Sequence, residues 1–126
     1  MRQMTEKSLR EAFAGESQAH MRYLIFAEQA EKEGLKDVAR LFRAIAFAEQ
    51  VHATNHFKAL MDLKSTSESL QTAWNGENFE VEEMYPAYNA IATLQDEKDA
   101  LRSIHFALSA EKIHRELYAE TKEKVD

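Results

Sequence analysis

The stretch GENFEVEEMYP (residues 76–86) puts four glutamates into seven positions, two of them, Glu77 and Glu80, one helical turn apart. On a helix, residues three apart share a face. Both carboxylates therefore fall on the stripe that also carries Leu70 and Ala73. A buried ionised carboxylate is costly unless something compensates it. Whatever compensates these two decides what the surrounding helices are for.

The rest of the chain reads as helix as well. With 3 Gly and 1 Pro in 126 residues, turn formers are too few for anything but long helices and short links. The periodicity predicts a first helix over about Thr5–Glu33, with Leu9, Phe13, Tyr23, Ala27 and Ala30 on one face and Gly34 as its stop. A second runs over about Lys36–Leu63, with Val38, Leu41, Phe42, Ile45 and Leu60 inward. Lys64–Ser67 is a polar break with capping residues. A third helix starts near Ser67, and Pro86 should kink it or end it early. The fourth follows a link near Thr93–Gln95, with Asp96 as its N-cap. The reading is all-α: one domain over 1–126, built from helical hairpins at about 5–63 and 67–124.

The two hairpins repeat one another. AEQVH (48–52) and AEKIH (110–114) share Ala-Glu-x-(Val/Ile)-His, and a Gly-Glu pair precedes each, at Gly15-Glu16 and Gly76-Glu77. Glu16 to Glu49 is 33 residues and Glu77 to Glu111 is 34. Each helix thus carries a carboxylate on its apolar stripe near its middle: Glu16, Glu49 with His52 one turn on, Glu77 with Glu80, and Glu111 with His114. Among 17 Glu and 5 His, chance alone gives roughly 0.7 Glu-x-x-His matches, so one match means little. Two on apolar stripes, each following an inward Gly-Glu by nearly the same interval, mean more. Two cations would offset the repulsion, and one Glu from each of two helices plus Glu-x-x-His from each of the others is the recurring di-iron or di-manganese bundle site. A metal-free polar core is the rival reading.

Bulk properties narrow the alternatives. A net charge of −6 argues against nucleic-acid or anionic-membrane binding. Absence of cysteine removes disulfides, thiolate metal sites and thiol nucleophiles. No leader-type apolar stretch or membrane-spanning run is present, so a soluble cytoplasmic protein is expected. His20, His56 and His105 read as surface, interface or supporting groups, Trp74 as packing, and Glu82 and Glu83 as solvent-facing.

GESQAHMRY (15–23), AEQVH, GENFEVEEMYP and AEKIH together resemble the diiron domain of rubrerythrins, within the ferritin-like superfamily, over essentially the whole chain. Ferritins and related bundles share the site but generally lack the second inward Glu of the third helix. The resemblance implies two iron ions, replaceable by zinc or manganese. It implies Glu49 and Glu111 as bridging ligands, Glu16 on the first iron, and Glu77 and His114 on the second. Glu80 would hold the first iron when ferric and His52 when ferrous. Tyr23 and Tyr85 match tyrosines near the carboxylates, where space-filling and a redox role both stand open. The implied activity is reduction of hydrogen peroxide to water. Ferroxidase or iron-handling chemistry and dioxygen reduction are the alternatives on the same ligands. Typical members carry a four-cysteine rubredoxin domain; this chain has no Cys. It resembles single-domain members or a truncated piece, and a separate rubredoxin or flavoprotein would supply electrons.

The ferritin-like arrangement sets the second and third helices parallel. A second helix of about 28 residues is roughly 42 Å long, whereas a link over 64–66 spans at most about 14 Å. The expectation is therefore a domain-swapped homodimer. Each site would take Glu16, Glu49 and His52 from one chain and Glu77, Glu80, Glu111 and His114 from the other; an up-down-up-down monomer is the rival.

Overall fold

The computed structural model describes every residue from Met1 to Asp126. The chain is helical throughout: α1 (Gln3–Lys32), α2 (Lys36–Ala59), α3 (Thr66–Phe79), a π-helical segment (Glu80–Met84), α4 (Tyr85–Leu94) and α5 (Lys98–Val125). It forms two compact units, Met1–Leu63 and Lys64–Asp126. The first is the antiparallel hairpin α1–α2; in the second, α5 packs along α3, the π segment and α4.

The ends follow from local chemistry. Gly34, at φ +78°, closes α1: its amide bonds to the Glu31 carbonyl at 3.0 Å and the Leu35 amide to that of Ala30 at 2.9 Å. This left-handed cap satisfies carbonyls that a helix end otherwise orphans. α2 ends the same way, four residues before the Leu63 read from periodicity. Met61 takes φ +60°, and the amides of Met61 and Asp62 bond to the carbonyls of Lys58 and Phe57. Asp96 differs from its reading too. It sits at φ +54° and caps the end of α4, its amide on Thr93 and that of Glu97 on Ala92, while Glu97 is the N-cap of α5. Aspartate tolerates left-handed backbone better than most residues, which lets it serve the helix behind it rather than the one ahead. α3 opens on a capping box. Ser65 Oγ accepts from the Glu68 amide while the Glu68 carboxylate accepts from Ser65 N at 3.2 Å, worth about 1 kcal/mol.

The seam of the first hairpin is made of alanine. Ala19, Ala27, Ala30, Ala39, Ala46 and Ala53 are buried, while Val38, Leu41 and Ile45, read as inward, stay largely exposed. Small residues let the helices approach closely and push large side chains to the flanks, where Tyr23, Phe26 and Phe42 cluster at centroid distances of 5.5–6.2 Å. His20 ties the seam, its Nδ1 lying 2.7 Å from the Ala46 carbonyl oxygen.

Between Glu77 and Tyr85 the repeat gains a residue. Gly15 and Glu16 lie 61 positions before Gly76 and Glu77, whereas Tyr23, Ala30, Glu49 and His52 lie 62 before Tyr85, Ala92, Glu111 and His114. In an uninterrupted α-helix one added residue rotates everything after it by about 100°. The π segment absorbs it: the Tyr85 amide bonds five residues back to the Glu80 carbonyl. Ala92 therefore remains buried like its counterpart Ala30. Pro86, at the start of α4, brings no amide and crowds the preceding turn. The expected kink is thus realised as a widened turn just before the proline.

Candidate metal centre

Each hairpin gathers two carboxylates and an imidazole. In the first, ligand atoms of Glu16, Glu49 and His52 all lie within 4.8 Å of one another; in the second, those of Glu77, Glu111 and His114 do. His52 Nδ1 stands 3.2 Å from Glu16 Oε2 and 3.8 Å from Glu49 Oε2. His114 Nδ1 stands 3.8 Å from Glu77 Oε1 and 3.5 Å from Glu111 Oε1. The Glu-x-x-His spacing within one helix and the partner Glu from the antiparallel helix produce this geometry twice. The four carboxylates are half-buried and both imidazoles more open.

The electrostatics call for a cation. The Glu49 and Glu16 carboxyls lie close enough to share a hydrogen bond when one of them is protonated. That bond, then desolvation and the nearby charge, hold the Glu49 carboxyl above the usual carboxylate range. The same bond, aided by His52, holds Glu16 below it. Two carboxylates that close cannot both ionise without help. In the second hairpin the deficit is plainer: Glu77 Oε2 is buried with no hydrogen-bond partner, a loss of hydration that a bound cation would offset. Carboxylate and imidazole donors suit iron, manganese or zinc. The residues present fit a metal in each hairpin.

Six of the seven residues read as ligands are thus gathered three and three. Glu80 stands outside both clusters, half-buried at the head of the π segment. Tyr23 packs on Phe26 and Phe42, and Tyr85 meets Tyr88 edge-on at 6.3 Å. One participant escaped the sequence. Half-buried Arg115, beside His114, reaches back to Asn78 and Glu82; only the packing of α5 against α3 and the π segment brings them together.

Helices bearing Glu and Glu-x-x-His on their facing sides define a class: carboxylate–imidazole metal proteins of the ferritin-like kind. Residues 7–122 match the family model described as Rubrerythrin. Rubrerythrin-2 of Clostridium acetobutylicum is 45% identical over 134 residues, which cover 95% of this chain and 73% of that protein. Nigerythrin of Nitratidesulfovibrio vulgaris is 30% identical, with 97% of this chain and 67% of that protein covered. Among solved structures, the fully reduced, all-ferrous state of nigerythrin superposes with a TM-score of 0.51 at 30% identity, over 97% of this chain and 67% of that one. The chain belongs to the rubrerythrin family. It spans 64–73% of the length of these relatives and the Porphyromonas gingivalis rubrerythrin. No helix is long and apolar enough to cross a membrane.

Proposed function

We propose that the chain is a non-haem diiron peroxidase, taking hydrogen peroxide, two electrons and two protons to two molecules of water. The observation that carries the reading is the doubled Glu, Glu, His cluster with its unpartnered buried oxygen on Glu77. Glu16, Glu49 and His52 would hold metal on one hairpin and Glu77, Glu111 and His114 on the other, with Glu49 and Glu111 bridging. When bound, two ferrous ions supply the electron pair that cleaves the O–O bond and stabilise charge on the departing oxygen. Glu80, one turn from Glu77 and outside the cluster, is the carboxylate free to join or leave; His52 is its neutral alternative. A carboxylate suits the harder ferric ion and imidazole the ferrous one. Whichever of the two stands free can pass a proton to the substrate's oxygens. These 126 residues hold no cysteine that could ligate a thiolate-bound iron. We place its electron source in a rubredoxin-type centre or a flavoprotein, and the protein in the cytoplasm.

We propose further that the hairpins combine between chains as a domain-swapped homodimer. Two features support this. Residues 60–65 join α2 to α3 and reach at most about 22 Å, against about 36 Å for the 24 residues of α2. Large apolar side chains such as Leu41, Ile45, Ile91 and Ile113 are also uncovered on the chain by itself.

Stopped-flow mixing of the anaerobically iron-loaded, reduced protein with peroxide tests the chemistry. The expected result is rapid oxidation of two ferrous ions per peroxide, much faster than with dioxygen. Faster reaction with dioxygen would transfer the assignment to an oxidase or ferroxidase on the same ligands.

A further inference from the structure

Arg115 Nη1 donates to Asn78 Oδ1 at 2.9 Å and to Glu82 Oε1 at 2.7 Å. Its side chain is 25% exposed and that of Glu82 59%, so the bond to half-buried Asn78 is partly shielded while the ion pair to Glu82 faces water. Asn78 and Glu82 straddle the first residue of the π segment, Glu80. The arginine therefore bridges from α5 across the point where the α-helical ladder gives way to the wider turn.

The first hairpin supplies an internal control. There the counterpart of Arg115 is the buried Ala53, and those of Asn78 and Glu82 are Ser17 and Met21. These three residues line an open apolar groove, α1 runs through uninterrupted, and the position matching Glu80 is Ala19, buried in the seam. Added residue, π turn, arginine bridge and second carboxylate thus occur together in one hairpin and are all missing from the other. A π turn is less stable than the α turns around it and persists only where contacts hold it.

We infer that Arg115 is a positioning residue: by bridging Asn78 and Glu82 it holds the π turn open and thereby sets where the Glu80 carboxylate stands relative to the Glu77–Glu111–His114 cluster. The inference rests on the metal-binding reading above for its consequence, and on the hydrogen bonds alone for its cause. Arg115 touches no reacting group; it acts through Glu80.

Two readouts on the full chain test it. In metal-free protein, Arg115→Met should raise hydrogen exchange at the amides of residues 81–85 about tenfold, with the amides of α1 and α2 unchanged. Glu82→Leu, which leaves Arg115 in place, should reproduce the effect if Arg115→Met fails to fold. In titrations with gallium(III), a trivalent stand-in for the ferric ion that Glu80 would join, Arg115→Met should weaken binding about tenfold in the natural background and less than twofold when combined with Glu80→Ala. Equal weakening in both backgrounds would reduce Arg115 to general support and overturn the inference, as would unchanged exchange at 81–85. A natural chain that binds neither gallium(III) nor cobalt(II) would defeat the metal-binding reading instead, and the exchange experiment would still decide whether the arginine holds the turn.

Discussion

Pairing chains that carry complementary defects would show how the two half-sites are assembled. One chain carries Glu49→Ala, which damages the first hairpin's cluster; the other carries Glu111→Ala, which damages the second's. The clusters lie on separate compact units, so each variant keeps one hairpin's ligands intact. If sites form between chains, a dimer of two different variants contains one wholly natural site and one doubly damaged site. A dimer of two identical variants contains none. Random pairing of equal amounts after unfolding and refolding makes half the dimers mixed. The mixture should then regain about one quarter of the natural capacity for tightly held metal pairs, while each variant alone regains almost none. If each chain builds its own site, every site in the mixture is damaged and nothing returns. The assay is iron stoichiometry after anaerobic loading and desalting, with molar mass from light scattering to confirm the dimer. Recovery indistinguishable from the separate variants would refute the swap while leaving the ligand assignment intact.

Glu77→Leu should stabilise the metal-free protein by about 1 kcal/mol, because it removes a buried oxygen without a partner, and should abolish high-affinity metal binding; thermal unfolding with and without metal separates the two effects. Metal binding to the first hairpin should weaken and release more protons as pH falls toward the raised Glu49 value, because the proton shared with Glu16 must leave. Calorimetry in buffers of different ionisation heat measures that release, and release independent of pH would contradict the shared proton. In the metal-free protein the signs are opposite for the two partners: the raised Glu49 contributes stability below its unfolded pKa that is lost as pH rises through its folded value, and the lowered Glu16 contributes stability above its unfolded pKa that is lost as pH falls through its folded value. Gly34→Ala should cost about 1 kcal/mol at φ +78°, and Asp96→Gly should gain up to about 1 kcal/mol at φ +54°, both read by chemical denaturation.

Much of this was legible in the residues because the chemistry is local. Glu49 with His52 and Glu111 with His114 share a face through helical spacing alone, and the repeat of Gly-Glu ahead of each fixed which helices must pair. The intervals of 33 and 34 residues even carried the π turn as an unexplained odd residue, although spacing alone could not say whether a kink, a loop or a wider turn would absorb it. What stayed hidden depends on contacts distant in sequence. Nothing in the pattern separates Arg115 from the other surface arginines until α5 lies against α3. Alanine was also underrated. Periodicity marks Leu41 and Ile45 as inward, but the hairpin closes on Ala39, Ala46 and Ala53 and leaves the larger side chains on its flanks. Asp96 showed a further limit, since one residue can cap the helix behind it or the helix ahead, and composition favours neither.

If paired cations compensate these carboxylates, iron supplied to the folded protein must settle among them. Anomalous scattering at the iron edge, from crystals grown anaerobically with ferrous salt, locates it. Two iron peaks about 3.5–4 Å apart are expected, one held by Glu16 and the other by Glu77 and His114, with Glu49 and Glu111 between them. Crystals showing no iron among these side chains, or iron only on the exposed acidic surface, would contradict that compensation.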